Sequence, residues 1–476
     1  MSEERVAVVG AGPAGMTAGY KLAQAGVKVE VFEASESVGG LAKTLDLWNQ
    51  RIDIGPHRFF SNDTRVNKLW LEIAGNDYRM VNRQTRIYYK RKFFSYPLKP
   101  LDALFKLGIG AATLCMGSYF KERIAPTKPD GSFETWVIHR FGRALYSIFF
   151  KTYSEKLWGI PCAGIDADFA AQRIKKLSLW EAVKNAIRRG KGNQHKTLVD
   201  QFAYPTGGTG MIYERMRRYI DTHGGKVHLE TPVLRVLTQD QRAYAVELMD
   251  GRVKEFEEIV SSMPLSLMVA RLPNVPEEIA NHASGLTYRN TVMVYLKVEA
   301  KNLFPDNWLY VHAAELLMGR ITNFNNWAPE INNGEKATVI ALEYWCCDRD
   351  QLWNASREDL IALGMEELRK TGLIGHAEIS DGFVYRIPRC YPIYACGYKD
   401  KLKPIEEYLS KIANLHVIGR YGAFKYNNQD HSILMGLLAA ENIAHGAQHD
   451  LWKINTDYED YQERSTIHAA GLSVSG

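Results

Sequence analysis

Long hydrophobic runs are missing from this 476-residue chain. A membrane-spanning helix needs roughly 20 apolar positions, and the nearest approach, Leu107 to Phe120, is shorter and carries Gly, Thr and Ser. No transmembrane segment is expected; that stretch reads as a buried helix, with peripheral membrane contact left open. Cysteine is scarce. Of six, Cys346 and Cys347 are adjacent and Cys390 and Cys396 lie six apart, without histidine partners or a metal-type spacing. Neither a disulfide framework nor a metal site is expected, only reduced thiols in a cytosolic protein. A large excess of charge of one sign is also lacking. A net charge of +5 and a pI near 8.6 favour anionic ligands but fall short of a nucleic-acid-binding profile. Met1 to Arg5 has no signal-peptide architecture, which points to a cytoplasmic location. Internal repeats and low-complexity segments are absent.

What is present is an ordinary globular balance, 46% hydrophobic and 24% charged, over a length that calls for two or three lobes. Val6 to Gly10, small and β-branched, reads as a buried parallel strand. A glycine turn over Gly10 to Gly15, a helix over Met16 to Gln24 and a strand over Val27 to Phe32 complete a βαβ unit. Ala103 to Arg123, Phe133 to Leu157 and Ser178 to Arg189 look mainly helical. Strands return at Phe202, Val227–Leu229, Ala243–Leu248 (closed by the hairpin signal Asp250-Gly251) and Ile259 to Ser262. Thr291 to Val298, Val311 to Thr322 and Ala337 to Tyr344 suggest an antiparallel sheet. A strand over Leu415 to Gly419 precedes a helix over about Ser432 to Gly446, and Ser473 to Gly476 is expected to fray.

Gly10-Ala11-Gly12-Pro13-Ala14-Gly15 fits G-x-G-x-x-G. The first glycine permits the tight turn, the second lets a pyrophosphate reach the backbone, and the third lets helix and strand pack closely. The helix N-terminus then offers N–H groups and partial positive charge to the phosphates. Glu33, at the end of the second strand, stands where a ribose-binding acid belongs and disfavours NADP in this unit. The segment Glu33-Ala34-Ser35-Glu36-Ser37-Val38-Gly39-Gly40-Leu41 then resembles the flavin amine-oxidase and desaturase superfamily, where this loop lies along the FAD diphosphate and ribityl chain. The expected fold class is therefore α/β. A Rossmann-type FAD-binding domain would be assembled from discontinuous segments (1–95, 203–285 and 400–450). A helical insertion or substrate flap (96–202), an antiparallel-sheet substrate domain (286–399) and a C-terminal extension (451–476) would complete the chain.

Within that superfamily the chain resembles the UDP-galactopyranose mutases. The resemblance is carried by Gly419-Arg420-Tyr421-Gly422 running through Tyr426 to Asn428-Gln429-Asp430-His431-Ser432, and by Gly55-Pro56-His57-Arg58-Phe59-Phe60, Ser95-Tyr96-Pro97 and Tyr153-Ser154-Glu155-Lys156-Leu157-Trp158-Gly159. Tyr204-Pro205, Trp308-Leu309-Tyr310, Arg320-Ile321-Thr322 and Tyr391-Pro392 add to it. It implies an isomerase that interconverts pyranose and furanose forms of a nucleotide sugar with no net redox. Reduced FAD is the active form, its N5 attacking the anomeric carbon while the nucleoside diphosphate leaves. Arg320 and Arg420 match the two diphosphate arginines, and a planar guanidinium suits phosphate geometry. Tyr310, Tyr391 and Tyr426 match phosphate-contacting tyrosines. Arg173 matches an arginine near a mobile flap, although Lys175 and Lys176 make it equally an ordinary basic face. His57 matches the histidine whose backbone faces the flavin. Tyr96, Tyr153, Trp158, Trp308 and Asn428 complete the implied substrate wall, with core packing the competing role for Trp158. The implied FAD contacts are Gly10, Gly12, Pro13, Ala14, Gly15, Glu33, Gly39, Gly40, Leu41, His57, Val233, Gly419, Asn428, Gln429 and Ser432.

The family pattern is broken in two places. Pro56 stands where the family commonly has glycine, stiffening the turn before His57. Leu98 and Lys99 stand where an aromatic and a Gln are usual, so the nucleotide is open among UDP, dTDP and GDP, and the sugar need not be galactose. The basic loop from Arg188 to Lys196 reads equally as a flap or a plain exposed loop. No second G-x-G-x-x-G on a complete βαβ unit is present, so NADH or NADPH would act as a transient reductant, or another protein would supply electrons. A homodimer is left open. Two other functions stay on the table: a redox enzyme of the amine-oxidase, desaturase or protoporphyrinogen-oxidase kind, with an elongated apolar tunnel, and a flavoprotein kept as a scaffold.

Overall fold

The structure, a computed structural model, describes residues 5–96, 98, 100–169, 201–454, 464–468 and 471–475. Its contacts divide the chain into two compact units: Met1–Val81 with Phe202–Thr287 and Lys399–Gly476, and Asn82–Gln201 with Tyr288–Tyr398.

In the first unit Arg5–Val9 is the middle strand of a five-stranded sheet, between Lys28–Phe32 and Glu258–Ser261, with Lys226–His228 and Leu415–Val417 at the two edges. All its pairings are parallel, with Val6 opposite both Val29 and Glu258. Val6, Ala7 and Val8 are fully buried, as a strand covered on both faces requires. The helix Pro13–Gln24 begins on a proline, tolerated where the missing N–H would have no helical partner. Asp63 caps the helix Thr64–Ala74 by accepting from the N–H groups of Arg65 and Val66. The helix Gln429–His445 is buried nearly all round over its first three turns. It lies so close to the first helix that a Cβ on Gly436 would sit 2.3 Å from the Ala14 carbonyl oxygen. A three-stranded antiparallel sheet, Val233–Gln239, Arg242–Leu248 and Val253–Glu255, is joined to the parallel sheet by buried Asn414, whose Oδ1 accepts from Ala243 N–H at 2.8 Å.

The second unit is built on a seven-stranded sheet in the order Ile379–Pro392, Tyr288–Val298, Thr338–Cys346, Arg320–Asn323, Trp308–Val311, Thr85–Tyr89 and Lys92–Ser95. Helices Phe133–Phe141 and Thr152–Trp158, the latter entered through one π-helical turn at Ser147–Lys151, belong to the same unit.

Several expectations are corrected. Residues 82–95 were expected in the cofactor domain, but Thr85–Tyr89 pairs with Trp308–Val311, a register reinforced by Arg86 forking onto buried Asp306 at 2.9 and 2.6 Å. Val311 to Thr322 is two short strands flanking a loop. Of the stretch expected to fray, Ser473 to Ser475 are paired, since Gly471–Ser475 runs against Arg464–His468, and the Tyr78 hydroxyl donates to the His468 carbonyl at 2.9 Å. The stretch from Leu107 to Phe120 is helical but not buried: Pro100–Leu107 and Ile109–Ile124 meet at Gly108, and much of their apolar surface faces solvent. The helix expected over Ser178 to Arg189, Arg173 and the loop over 188–196 lie outside the described residues.

Gly436→Ala is expected to lower the stability of the first unit by about 1–3 kcal/mol, because a methyl group must push two packed helices apart. The urea unfolding midpoint measures it, and an unchanged midpoint would show that the close approach is dispensable.

Candidate functional site

The first unit gathers the glycine-rich segments at one end of the parallel sheet. Gly10 N–H donates to the Phe32 carbonyl at 2.8 Å, which holds the turn against the second strand. A Cβ at Gly15 would lie 1.9 Å from the Gly10 carbonyl oxygen, so only glycine lets the helix start this close. Ala11 N–H donates to Glu33 Oε2 at 2.8 Å, and the other oxygen of Glu33 accepts from Ser35 N–H and Oγ. Gly39 (φ 102°) donates to the Ala11 carbonyl, and a Cβ at Gly40 would come within 2.9 Å of Gly12 Cα. Gly12, Pro13, Ala14, Gly39, Gly40 and half-buried Leu41 thus form one backbone cradle. Gly419 closes it from the C-terminal segment: its own Cβ would meet that of Ala14 at 3.1 Å.

Asn428 caps the helix Gln429–His445 in a capping box with His431, and Ser432 is buried in its first turn. Arg420 donates from Nη1 to the Asn427 carbonyl at 2.8 Å and lies 4.5 Å from the centre of the Tyr426 ring. Val233 opens its strand, buried, opposite Leu248.

His57 is fixed through a residue absent from the expected set. Asp53 is fully buried and accepts from Thr44 Oγ1 (2.6 Å), Tyr204 OH (2.9 Å), Thr209 Oγ1 (2.7 Å) and Thr209 N–H (3.0 Å). Thr209 Oγ1 also lies 3.1 Å from the His57 carbonyl. Burial pushes the Asp53 carboxyl up to about 6, against these hydrogen bonds, which pull it down.

In the second unit the expected residues collect around a second buried carboxylate, Glu343. Arg320 faces it directly across the strand pair and makes an ion pair at 3.0 Å. Glu343 Oε1 also accepts from Trp345 Nε1 and the Tyr391 hydroxyl, each at 2.8 Å. Tyr310 and Trp345 flank the guanidinium at 5.7 and 5.9 Å. Tyr153 stands edge-on to Tyr310 and Trp345 and stacks on buried His312 at 4.6 Å. Tyr96 joins through Tyr310 at 4.9 Å, and Trp158 through Tyr391 at 6.3 Å. Trp308, two residues before Tyr310, packs on Trp327 at 5.7 Å. Burial works against the Arg320 charge, but the Glu343 carboxylate outweighs it and holds the group well above its ordinary value. Arg320 Nε is buried without a hydrogen-bond partner among the described residues.

Beneath this cluster Lys156 inserts its ammonium among the carbonyls of Val311 (3.2 Å), Ala313 (3.0 Å), Leu316 (2.8 Å) and Met318 (3.1 Å). Those carbonyls line the loop between the strands that carry Tyr310 and Arg320. Burial lowers Lys156 to about 8. Glu343 did carry a signal in the sequence, as the only charged residue in the otherwise uncharged strand Thr338–Cys346. Asp53 and Lys156 carried none, because their partners are scattered backbone atoms and hydroxyls.

The first unit's residues fit a flavin dinucleotide on two counts. The glycine cradle is steric room that any Cβ would fill, beside a helix start that no side chain caps. At the start of Gln429–His445, both amide atoms of Gln429 are buried without a partner among the described residues, as expected of a group meant for a ligand.

The profile of the flavin-containing amine oxidoreductases matches residues 13–444. An L-amino-acid oxidase of Demansia vestigiata is 22% identical over 483 aligned residues, covering 94% of this chain and 87% of the relative. Amine oxidase [flavin-containing] B of Homo sapiens is 25% identical over 281 residues, 55% of this chain and 50% of the relative. Among solved structures, reduced UDP-galactopyranose mutase superposes with a TM-score of 0.83 at 20% identity, covering 96% of this chain and 97% of its own; at that identity the likeness is one of fold. A match that runs from the start of the first helix to the end of the helix packed against it spans both units: the chain belongs to the flavin-containing amine oxidoreductase family, and its cofactor is FAD.

Proposed function

We propose that the chain is a FAD-dependent mutase that interconverts pyranose and furanose forms of a nucleotide-diphosphate sugar. The observation that carries this reading is the chemistry of the Arg320 cluster. An enzyme that oxidises an apolar substrate wants a greasy lining, whereas here one buried guanidinium has Tyr153, Tyr310 and Tyr391 around it, with Tyr96 packed behind Tyr310. Glu343 occupies one edge of that guanidinium and fixes its plane; the Nε donor is left for an incoming anion. Phenol hydroxyls bind phosphate oxygens without adding charge. Arg420, supported by Asn427 and Tyr426, is the second candidate for the diphosphate.

Gly10, Gly12, Pro13, Ala14, Gly15, Glu33, Gly39, Gly40, Leu41, Val233, Gly419, Asn428, Gln429 and Ser432 would hold FAD, with His57 presenting its backbone under the restraint of Thr209 and Asp53. Bound in its reduced form, FAD would supply an electron-rich centre for chemistry at the anomeric carbon, with no net change of redox state. The chain's own task is to bind a diphosphate that leaves and returns, to orient the sugar and to exclude water. The solved structure of reduced UDP-galactopyranose mutase supports this reading.

A second reading, an FAD-dependent oxidoreductase, is favoured by the names of the sequence relatives, an L-amino-acid oxidase and amine oxidases. One experiment separates the two. The purified protein is reduced with dithionite and given UDP-galactose and dTDP-6-deoxysugars separately. Furanose product, formed only by the reduced protein, is expected. No product from any donor, together with bleaching of the oxidised flavin by an amine or amino acid, would establish the oxidoreductase instead.

Three outcomes are expected of variants. Arg420→Ala should weaken nucleotide-sugar binding by roughly 10- to 100-fold, the worth of a charged hydrogen bond of about 1.5–3 kcal/mol, with FAD content unchanged. Glu343→Gln leaves the Arg320 charge uncompensated and should cost about 3–5 kcal/mol of stability; added nucleoside diphosphate should then raise the melting temperature more than in the parent, since an anion replaces the lost one. The third concerns acid. Burial, with the Lys156 ammonium adding to it, holds His312 down from 6.5 to about 3. Between those values the unfolded chain takes up a proton that the folded one refuses. The stability contribution is thus complete above about 6.5 and is lost as pH falls toward 3, at up to about 1.4 kcal/mol per pH unit. His312→Phe, which keeps a ring against Tyr153, should flatten the acid side of a stability-against-pH curve.

A further inference from the structure

Five large apolar side chains stand exposed along one stretch of the second unit: Phe105 (83%), Ile109 (86%), Leu114 (64%), Phe120 (51%) and Ile124 (84%). They lie on the helices Pro100–Leu107 and Ile109–Ile124. In the longer helix, at about 100° per residue, Ile109, Phe120, Thr113, Ile124, Gly117, Gly110 and Leu114 fall within one arc of about 140°, joined only in the last turn by Lys121, while buried Cys115, Tyr119 and Glu122 face the opposite way. A contiguous apolar strip of this kind marks a contact surface rather than scattered surface hydrophobics.

The charge around the strip says what it contacts. From Leu107 to Phe120 there is no charged residue. At one end the hairpin tip Lys90-Arg91-Lys92 is exposed and lies against the shorter helix, with Lys92 Nζ donating to the Lys106 carbonyl at 2.7 Å. At the other end Lys121, Arg123 and Lys128 are exposed. The nearby acids are already engaged. Asp102 pairs with Lys106 at 2.6 Å, Glu122 is buried and accepts from Thr127 N–H and Oγ1 and faces His139, and Asp130 accepts from Ser132 N–H and Thr135 Oγ1. Glu315 acts on Tyr88 alongside Arg91 but is outnumbered by the three adjacent cations. A second copy of this chain seated symmetrically on the strip would set like charges against each other. Anionic headgroups would meet them with opposite charge, and the apolar side chains would enter the acyl boundary.

We propose that these two helices and the basic hairpin form a docking surface for an anionic phospholipid membrane. The helices lie in the interfacial plane with Phe105, Ile109, Leu114, Phe120 and Ile124 inserted and the flanking lysines and arginines at headgroup level. This is independent of the reaction proposed above and is tested without it.

The test is co-sedimentation of the FAD-loaded protein with vesicles of phosphatidylcholine alone and of phosphatidylcholine mixed with phosphatidylglycerol, at low and high salt. Binding to the mixed vesicles, weakened by salt and feeble on phosphatidylcholine alone, is expected. A quadruple variant (Phe105→Ser, Ile109→Ser, Phe120→Ser, Ile124→Ser) and a triple variant (Lys90→Gln, Arg91→Gln, Lys92→Gln) should each lose about tenfold or more in partitioning, with flavin spectrum and melting temperature unchanged. Should the quadruple variant misfold, the triple variant decides alone. The proposal is overturned if the parent stays in the supernatant with both vesicles or if a folded variant binds as the parent does. It is equally overturned if the parent sediments as a dimer that the quadruple variant dissolves while neither binds lipid.

Discussion

A carboxylate in the interior of a β-sheet has to be answered by positive charge or hydrogen-bond donors, and in the second unit Glu343 imposes that demand on everything around it. Three strands comply. Arg320 stands opposite it on one neighbouring strand, Trp345 follows two residues on along its own, and Tyr391 reaches it from the far edge of the sheet. The aromatic faces that flank the guanidinium are therefore oriented as a consequence of satisfying one anion. A buried pair of this kind is weak evidence for stability, because desolvation offsets much of the attraction. Its retention makes better sense as a device for holding an arginine in one plane.

The first unit follows another rule, the near-absence of side chains. Its cradle is made where backbone meets backbone, at Gly10 with Gly15 and Gly12 with Gly40, and where Gly419 meets Ala14. Polar side chains enter only as ties between segments distant in sequence. Glu33 joins the first turn to the loop at 35, and Asp53 joins the strand at 44, the helix start at 209 and the segment at 57. Precision at the cofactor end comes from steric exclusion, and at the other unit's centre from electrostatics.

How much of this was legible in the sequence follows from the range of each signal. The βαβ unit was readable because its determinants are local: a β-branched run, glycines at fixed offsets and an acid at the next strand end. The strand Ile379–Pro392 was missed because Gly382, Pro388 and Arg389 (φ 53°) punctuate it; it lies at a sheet edge, where such residues are tolerated. Residues 82–95 were misassigned because a strand's partners are not written in the strand. The burial expected for Leu107 to Phe120 failed for a different reason: apolar composition reports what a segment avoids, not what covers it. Of the second unit's cluster, the arginine and tyrosines were named by resemblance, while Glu343, which organises them, was overlooked although it was the lone acid in a uniform strand.

Lys156 has a consequence for how this fold can vary. Lys156 holds the loop from Val311 to Met318 through main-chain oxygens, which every residue type carries, while Glu367 accepts from the N–H groups of Leu317 and Met318. The amino group therefore reads the path of the loop and is indifferent to its spelling. Substitutions at the exposed positions Ala314, Glu315 and Leu317 should drift freely in related chains, while the buried Ala313, Leu316 and Met318 must stay apolar; a single insertion or deletion would slide the carbonyls out of reach and release the two strands that the loop connects.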